Sequence, residues 1–423
     1  MALPNLWGLY NLRSSPFFQA TLRADTEATP LSLFVGRQRE RQLLLTTIGS
    51  SRSSRQAVAG RPGIGKTTLV QAVKADAREA GYWTSAEIIS LGMEGSSEDL
   101  LGRLLNGVYD AVLASFPTAS GPAVEAAQQL VRSFRLRGGG FSASAFGFGA
   151  GGNQTESVSM PPSALVLDGP RVLRDLLVYA QEQGALGLVL HLNNLENLSE
   201  SDAERAADLL RSIRDQALLL DGLHLIVVGT TDAVRTVVQS HTQIRSVFSD
   251  PQVLPPLGLE DVQQLLANRY AALQLDPGRP WRPPVDVAVV ERLHQLFRGD
   301  LRGMLKAMED GMTALLGLTA AASRDGMAAV GLDDLLLVLR QRNQAELEDQ
   351  LGPTAWERLQ VWGSGDPEAL ETQAELRELW GVSQPAVSQT LQQLTAVGAV
   401  EALPRKGREP IQYILTGTAR LAF

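Results

Sequence analysis

Gln56-Ala57-Val58-Ala59-Gly60-Arg61-Pro62-Gly63-Ile64-Gly65-Lys66-Thr67-Thr68-Leu69-Val70 reads as a short apolar run, a glycine-rich turn and the opening of a helix. It fits G-x-x-x-x-G-K-[ST] in the strand, turn and helix context that this pattern requires. Glycines let backbone N–H groups curl around phosphates, and the helix N-terminus adds its dipole. Lys66 is placed to reach β and γ phosphates, and the Thr67 hydroxyl to ligate Mg²⁺. The segment Gly60 to Thr68 therefore predicts a site for ATP or ADP with Mg²⁺.

Outward from this loop, strand-like and helix-like stretches alternate. Tyr82 to Ile89 reads as a strand, Glu98 to Ser115 and Arg171 to Gln183 as helices, and Leu186 to Leu192 as a strand. An amphipathic helix over Ser201 to Leu218, the apolar run Leu223 to Val228 and the pair Gln252 to Leu254 complete the series. Such alternation predicts βαβ units wound into a parallel sheet, an α/β core spanning 31–257 after an N-terminal extension, 1–30. A Gly- and Ser-rich insertion at 136–165, holding Phe141, Phe146 and Phe148, reads as a surface segment or a hairpin that orders against a second subunit. From 258 to 350 the periodicity is wholly helical, broken by Pro277 and the run Pro280 to Pro284, and predicts a small lid. Gly352-Pro353 then opens a last unit, 351–423.

Composition removes several classes of function. The 423 residues suffice for two or three cores, since domains run to about 100–200 residues. There is no Cys, which excludes disulfides, thiolate zinc and a cysteine nucleophile, and the four histidines (His191, His224, His241, His294) stand singly as ordinary core or surface residues. No run reaches the roughly 18 apolar residues of a membrane span, and Met1 to Asn5 lacks a secretory basic region, so a cytoplasmic protein without membrane contact is expected. The net charge of −8, from 38 basic and 46 acidic side chains, confines any nucleic-acid contact to a local patch.

The phosphate loop and its surroundings resemble an AAA+ ATPase of the origin-recognition, cell-division-control initiator type. Leu33-Phe34-Val35-Gly36-Arg37-Gln38-Arg39-Glu40 resembles the box that precedes the loop in that family and lies beside adenine, which implicates Val35 and Gly36. Gly299-Asp300-Leu301-Arg302 resembles sensor 2, implying that Arg302 approaches the γ phosphate. Thr230 and Thr231 stand where sensor 1 belongs, and Arg245 where an arginine finger reaches a neighbour's nucleotide. The resemblance implies a parallel-sheet P-loop AAA+ core with an α-helical lid, and a homo-oligomer formed on ATP binding.

Leu188-Val189-Leu190-His191-Leu192-Asn193-Asn194-Leu195-Glu196 departs from that family. Such a strand normally ends in Asp, orienting Mg²⁺ through water, and Glu, polarising the attacking water. Asn193 and Asn194 occupy these positions, and a carboxamide carries no charge and cannot act as a base. Glu196 stands where signal-transducing ATPases of the NACHT-like group place an acid beyond the strand, so slow hydrolysis depending on Glu196 is expected.

The C-terminal unit predicts three helices, Thr354 to Trp362, Thr372 to Trp380 with a Thr372/Glu375 capping box, and one capped by Ser383 running to about Val397. Ala399 to Leu403 and Ile411 to Leu415 then read as strands, joined through Pro404-Arg405-Lys406-Gly407-Arg408-Glu409-Pro410, completing a winged helix. Gly381 to Gln389 resembles the turn and recognition helix of bacterial winged-helix regulators. Ser383, Gln384, Ser388, Gln389 and Gln392 suit base edges or phosphates, and Arg405, Lys406 and Arg408 suit phosphates or a minor groove of duplex DNA. Against this, residues 353–423 hold six basic and eight acidic side chains, and the third helix has no basic residue. Three readings follow: a DNA-binding initiator-like ATPase, a signalling or defence switch whose winged helix contacts protein, and a transposition-associated ATPase.

Overall fold

The computed structural model describes residues 5–23, 30–90, 96–137, 163–195, 200–239, 241–317, 328–403 and 409–423. The chain divides into two compact units, one of residues 37–60 and 66–254, the other of 1–36, 61–65 and 255–423.

In the first unit, α1 (Gln38–Gly49) leads to β1 (Ser54–Ala59), whose six residues are all buried. The unit continues through α2 (Lys66–Glu79), β2 (Trp83–Thr84), β3 (Ile89–Ser90), α3 (Ser97–Ser115), α4 (Pro122–Arg137) and α5 (Ser163–Glu182). After β4 (Leu188–Leu195) come α6 (Glu200–Ser212), β5 (Leu223–Gly229), α7 (Thr231–Gln239), α8 (Thr242–Arg245) and β6 (Gln252–Val253). The sheet is parallel in the order β2-β4-β5-β1-β6, with β3 pairing farther along β4. Parallel sheets are covered on both faces, which is why β1 and β5 are buried without alternation.

Two expected elements are interrupted for local reasons. The strand expected over Tyr82 to Ile89 is two pieces, because the Ser85 hydroxyl accepts from the Glu87 N–H at 3.0 Å and turns the backbone between them. The helix expected over Ser201 to Leu218 ends at Ser212 and passes into a π turn, Arg214–Leu218, which turns Ala217 and Leu218 into the core. Helix α4 runs to Arg137 and α5 starts at Ser163, so most of the Gly-rich stretch lies outside the described residues.

The second unit holds α9 (Leu259–Ala272), α10 (Val287–Phe297), α11 (Leu301–Leu316) and α12 (Leu332–Gln350), then α13 (Pro353–Gly365), β7 (Glu371–Thr372), α14 (Gln373–Trp380) and α15 (Gln384–Ala396). It closes with β8 (Val400–Ala402), β9 (Gln412–Leu415) and α16 (Gly417–Arg420), the strands forming an antiparallel sheet in the order β7-β9-β8. The segment expected as an extension belongs to the helical core. Trp7, Tyr10, Leu12 and Phe17 are buried with Val262, Leu293 and Met308. Arg269 of α9 is buried and donates from Nη1 to the carbonyls of Pro16 (3.0 Å) and Phe18 (2.8 Å) while its guanidinium lies 3.9 Å over the Phe18 ring. A buried cation hydrogen-bonded in this way couples the segments it bridges.

The Thr372/Glu375 capping box forms as expected. Ser383 stands at the N-cap of α15 with extended backbone, but its side chain makes no capping bond, a correction that leaves its hydroxyl uncommitted to the helix. Among the described residues no helix is long and apolar enough to cross a membrane.

His191 on β4 and His224 on β5 are both fully buried, as ordinary core residues. Burial, with the nearby Lys74 cation, pushes His191 from the ordinary 6.5 down to about 3, and burial with Arg55 pushes His224 down to about 4. The folded protein thus keeps both neutral, while the unfolded chain protonates them near 6.5. Their contribution to stability is complete above that value and is lost as pH falls toward 4, at up to about 1.4 kcal/mol per pH unit for each group. The thermal midpoint is therefore expected to drop between pH 7 and pH 5, and His224→Gln to flatten the dependence. A midpoint level across this range in the wild type would contradict the buried-neutral account.

Candidate functional site

The phosphate loop begins where β1 ends. The Gly60 N–H donates to the Gly229 carbonyl at the end of β5 (3.2 Å), and the Lys66 Nζ donates back to the Gly60 carbonyl (3.0 Å). Lys66 and Ile64 are buried, while Thr67 and Thr68 are half-buried at the start of α2. Gly63 (φ +77°) and Gly65 (φ +92°) are left-handed, the backbone setting that lets successive N–H groups face one concavity.

The turn Arg61–Gly65 lies directly against the N-terminus of α11. A Cβ on Gly63 would fall 2.5 Å from Asp300 Oδ1 and 3.1 Å from the Arg302 Cβ. Asp300 caps α11 by accepting from the Gly303 N–H at 3.0 Å, and burial raises its carboxyl above the usual range, opposed by that hydrogen bond and by Arg302 and Arg61. Arg302, on the exposed side of the first turn, is thus brought beside the turn. Pro62 is exposed on the turn.

The box before the loop is placed in both units. Val35 packs on the helical core, and Gly36 (φ +71°) passes 3.1 Å, measured from its would-be Cβ, from the Asp261 carboxyl of α9. Arg37, also left-handed (φ 65°), is the N-cap of α1, and its Nη1 donates to Glu40 (3.4 Å).

At the end of β4 the register against β5 slips: Leu192 pairs with Val227, and the next pair is Leu195 with Gly229. One extra residue is accommodated at Asn193 and Asn194, a bulge of the kind that re-aims side chains. The Asn193 Oδ1 is buried with no hydrogen-bond partner among the described residues, so it can accept from a water or an ion's hydration shell. The Asn194 side chain and Glu196 lie outside the described residues. Thr230 caps α7, its Oγ1 accepting from the Ala233 N–H at 3.3 Å. Arg245 ends α8 exposed and, among the described residues, its side chain makes no hydrogen bond or ion pair.

On the C-terminal module, Ser383, Gln384 and Gln389 are exposed and Ser388 half-buried, all at or on α15, whose buried side is Val387, Thr390, Leu391 and Leu394. Gln373, not singled out by sequence, organises two of them: its Oε1 accepts from the Gln384 Nε2 and the Ser388 Oγ (3.4 Å), while its Nε2 donates to the Tyr413 hydroxyl (3.0 Å). A Gln at the first position of a helix reads as a solvated residue, and only the tertiary pairing of α14, α15 and β9 reveals its role. Arg405, Lys406 and Arg408 lie outside the described residues.

Residues 33–228 match the AAA ATPase domain family, which bears out the resemblance at the level of that domain. No curated protein matches the chain. Among solved structures it is similar to the Aeropyrum pernix ORC2 protein in ADPNP-ADP complexes, at 14% identity over 96% of this chain and 95% of that one, TM-score 0.49. It is also similar to the Aeropyrum pernix ORC1 protein in complex with DNA (14%, 99% and 96%, TM-score 0.42) and to Cdc6p from Pyrobaculum aerophilum (13%, 92% and 96%, TM-score 0.40).

The two left-handed glycines of the loop differ in what surrounds them, since nothing lies within 4 Å of a Cβ built on Gly65. Gly65→Ala should cost about 1 kcal/mol of backbone strain, and Gly63→Ala about 2–3 kcal/mol because the α11 cap must also move. Chemical denaturation of both variants gives the comparison. Equal destabilisation would mean that α11 does not press on the turn.

Proposed function

We propose that the chain is an ATP-binding AAA+ switch of initiator type whose C-terminal module, a winged helix, binds duplex DNA, with nucleotide state controlling homo-oligomer formation. The observation that carries the reading is the phosphate loop itself: a buried Lys66 that folds back onto a carbonyl of its own loop, two left-handed glycines, and Arg302 beside the turn. ATP or ADP would lie along Gly60 to Thr68, with Lys66 on the β and γ phosphates. Thr67 would hold Mg²⁺, and Asn193 would accept from its water shell. Mg²⁺ would neutralise phosphate charge there. Arg245, whose side chain is exposed, would meet a second copy's nucleotide.

Turnover is expected to be slow. The Asn193 and Asn194 carboxamides leave no base at the end of β4, and Glu196 is the nearest acid in sequence. Lys66→Ala removes a charge-assisted contact of about 1.5–3 kcal/mol and should weaken ATP by about one to two powers of ten. In the same preparations, steady-state phosphate release should be slow and fall further with Glu196→Gln. Unchanged ATP affinity in Lys66→Ala would sink the nucleotide reading.

For DNA, the support is the exposed polar side of α15 and the three basic residues of the β8–β9 connection. Replacing Arg405, Lys406 and Arg408 with Ala should reduce the slope of log affinity against log salt by about 0.9 for each lost phosphate contact. Gln389→Ala should instead reduce discrimination between sequences with little change in slope. Fluorescence anisotropy of labelled duplexes at several salt concentrations separates the two effects. Absent duplex binding would favour the signalling reading, for which the acidic balance of residues 353–423 and the lack of any basic residue on α15 already speak.

A further inference from the structure

Arg61, the residue that follows the first glycine of the phosphate loop, is tied to the C-terminal module. Its Nε donates to Glu401 Oε1 at 3.1 Å and its Nη2 to Oε2, a two-pronged ion pair between residues 340 apart in the chain. Nη1 donates to the Arg298 carbonyl at 3.5 Å. Glu401 is the central residue of β8, paired with Ile414 in the antiparallel sheet, so the ladder fixes its backbone.

The contact is part of a continuous arrangement. Arg298, the left-handed C-cap of α10 (φ 44°), donates through Nη2 to the Glu368 carbonyl (2.9 Å) and carboxylate (3.2 Å), and Arg292 approaches the same carboxylate at 3.9 Å. Arg420 of α16 donates to the Leu296 carbonyl, and Gly417 packs against the Phe297 ring. The last turn of α10 is thus held by the C-terminal module on several sides. The same module reaches past it to a residue of the loop.

We propose that Glu401 is a positioning residue of the nucleotide site, acting through Arg61, so that phosphate binding and docking of the β8 strand oppose each other. The inference rests on the loop being the nucleotide site. A bound polyphosphate draws a guanidinium on its own loop toward itself, and it is repelled by the carboxylate that holds that guanidinium. Whatever Glu401 subtracts from nucleotide affinity, nucleotide must subtract from the β8 contact, because coupling between two sites is reciprocal. ATP, with one more negative charge than ADP, should feel it more. Both partners are about one-third exposed (36% and 35%), so the effect belongs at the scale of a half-exposed ion pair, up to about fivefold.

Calorimetric titration of ATP and ADP into wild type, Glu401→Gln, Glu401→Asp, Arg61→Gln and the Glu401→Gln/Arg61→Gln double variant measures the coupling. Glu401→Gln should tighten ATP up to about fivefold and ADP less, Glu401→Asp should stay near wild type, and the gain should shrink by at least half when Arg61 is already Gln. Hydrogen exchange gives a reading that needs no Glu401 variant: amides of Val400 to Ala402 in the wild type should exchange faster with ATP than with ADP, and equally in Arg61→Gln. If wild type binds no ATP, the nucleotide reading falls and takes the inference with it. If wild type binds ATP while the Glu401→Gln affinity and the wild-type exchange difference are both unchanged, the inference alone is overturned.

Discussion

A glycine and an aspartate meet closely at the turn of the candidate site. Gly63 turns the chain with φ +77°, and any side chain there would strike Asp300, which caps α11. The turn is closed on this side by the α11 cap, so a side chain at Gly63 has no room. The turn is therefore fixed from behind by a helix N-terminus, whose dipole and first-turn arginine point the same positive sign as the loop. The buried Asp300, its carboxyl raised by desolvation, sits between Arg61 and Arg302 and limits how much positive charge accumulates at the turn before a phosphate arrives.

The end of β4 shows the opposite economy of charge. In a fast ATPase a carboxylate ends this strand and acts on water; here the bulge carries two amides. A buried carboxylate would raise both the need for neutralising cations and the driving force for hydrolysis. The amide retains the acceptor, seen in the orphaned Asn193 Oδ1, without the charge. If the loop holds nucleotide, as proposed, such an end to β4 suits an output by conformational state more than by turnover.

Features set by neighbouring residues were legible in the sequence. The strand, turn and helix around Gly60–Lys66, the Thr372/Glu375 capping box, the apolar runs of β4 and β5 and the solitary core histidines all follow from local pattern. What was not legible depends on contacts distant in the chain. The N-terminal segment lacks helical length, and its burial is revealed only by Trp7 and Phe17 entering the helical core under Arg269. The bulge at Asn193 needs the partner strand to define it. Gln373 and Glu401 look like solvated polar residues until β9 and the turn at Arg61 are brought beside them. The Ser85 turn that splits the second strand was present in the sequence as a Ser two residues before an N–H donor, but β propensity outweighed it.

The same distant contacts bear on how an acidic module could engage DNA. Direct readout by amide side chains requires each amide to be held in one orientation, because a rotating Gln offers donor and acceptor to every base alike. Gln373 supplies that constraint: its own Nε2 donates to the Tyr413 hydroxyl, and its oxygen accepts a hydrogen bond from Gln384 Nε2, which restricts the Gln384 amide on the exposed side of α15. A helix built so depends little on positive charge for discrimination, and must borrow affinity from elsewhere. The three basic residues of the β8–β9 connection are the nearest source in the chain, and they follow directly on the strand whose Glu401 holds Arg61. A change of charge at the phosphate loop is thus applied at the foot of the segment on which DNA affinity would depend, which gives a nucleotide switch a short covalent route to its output.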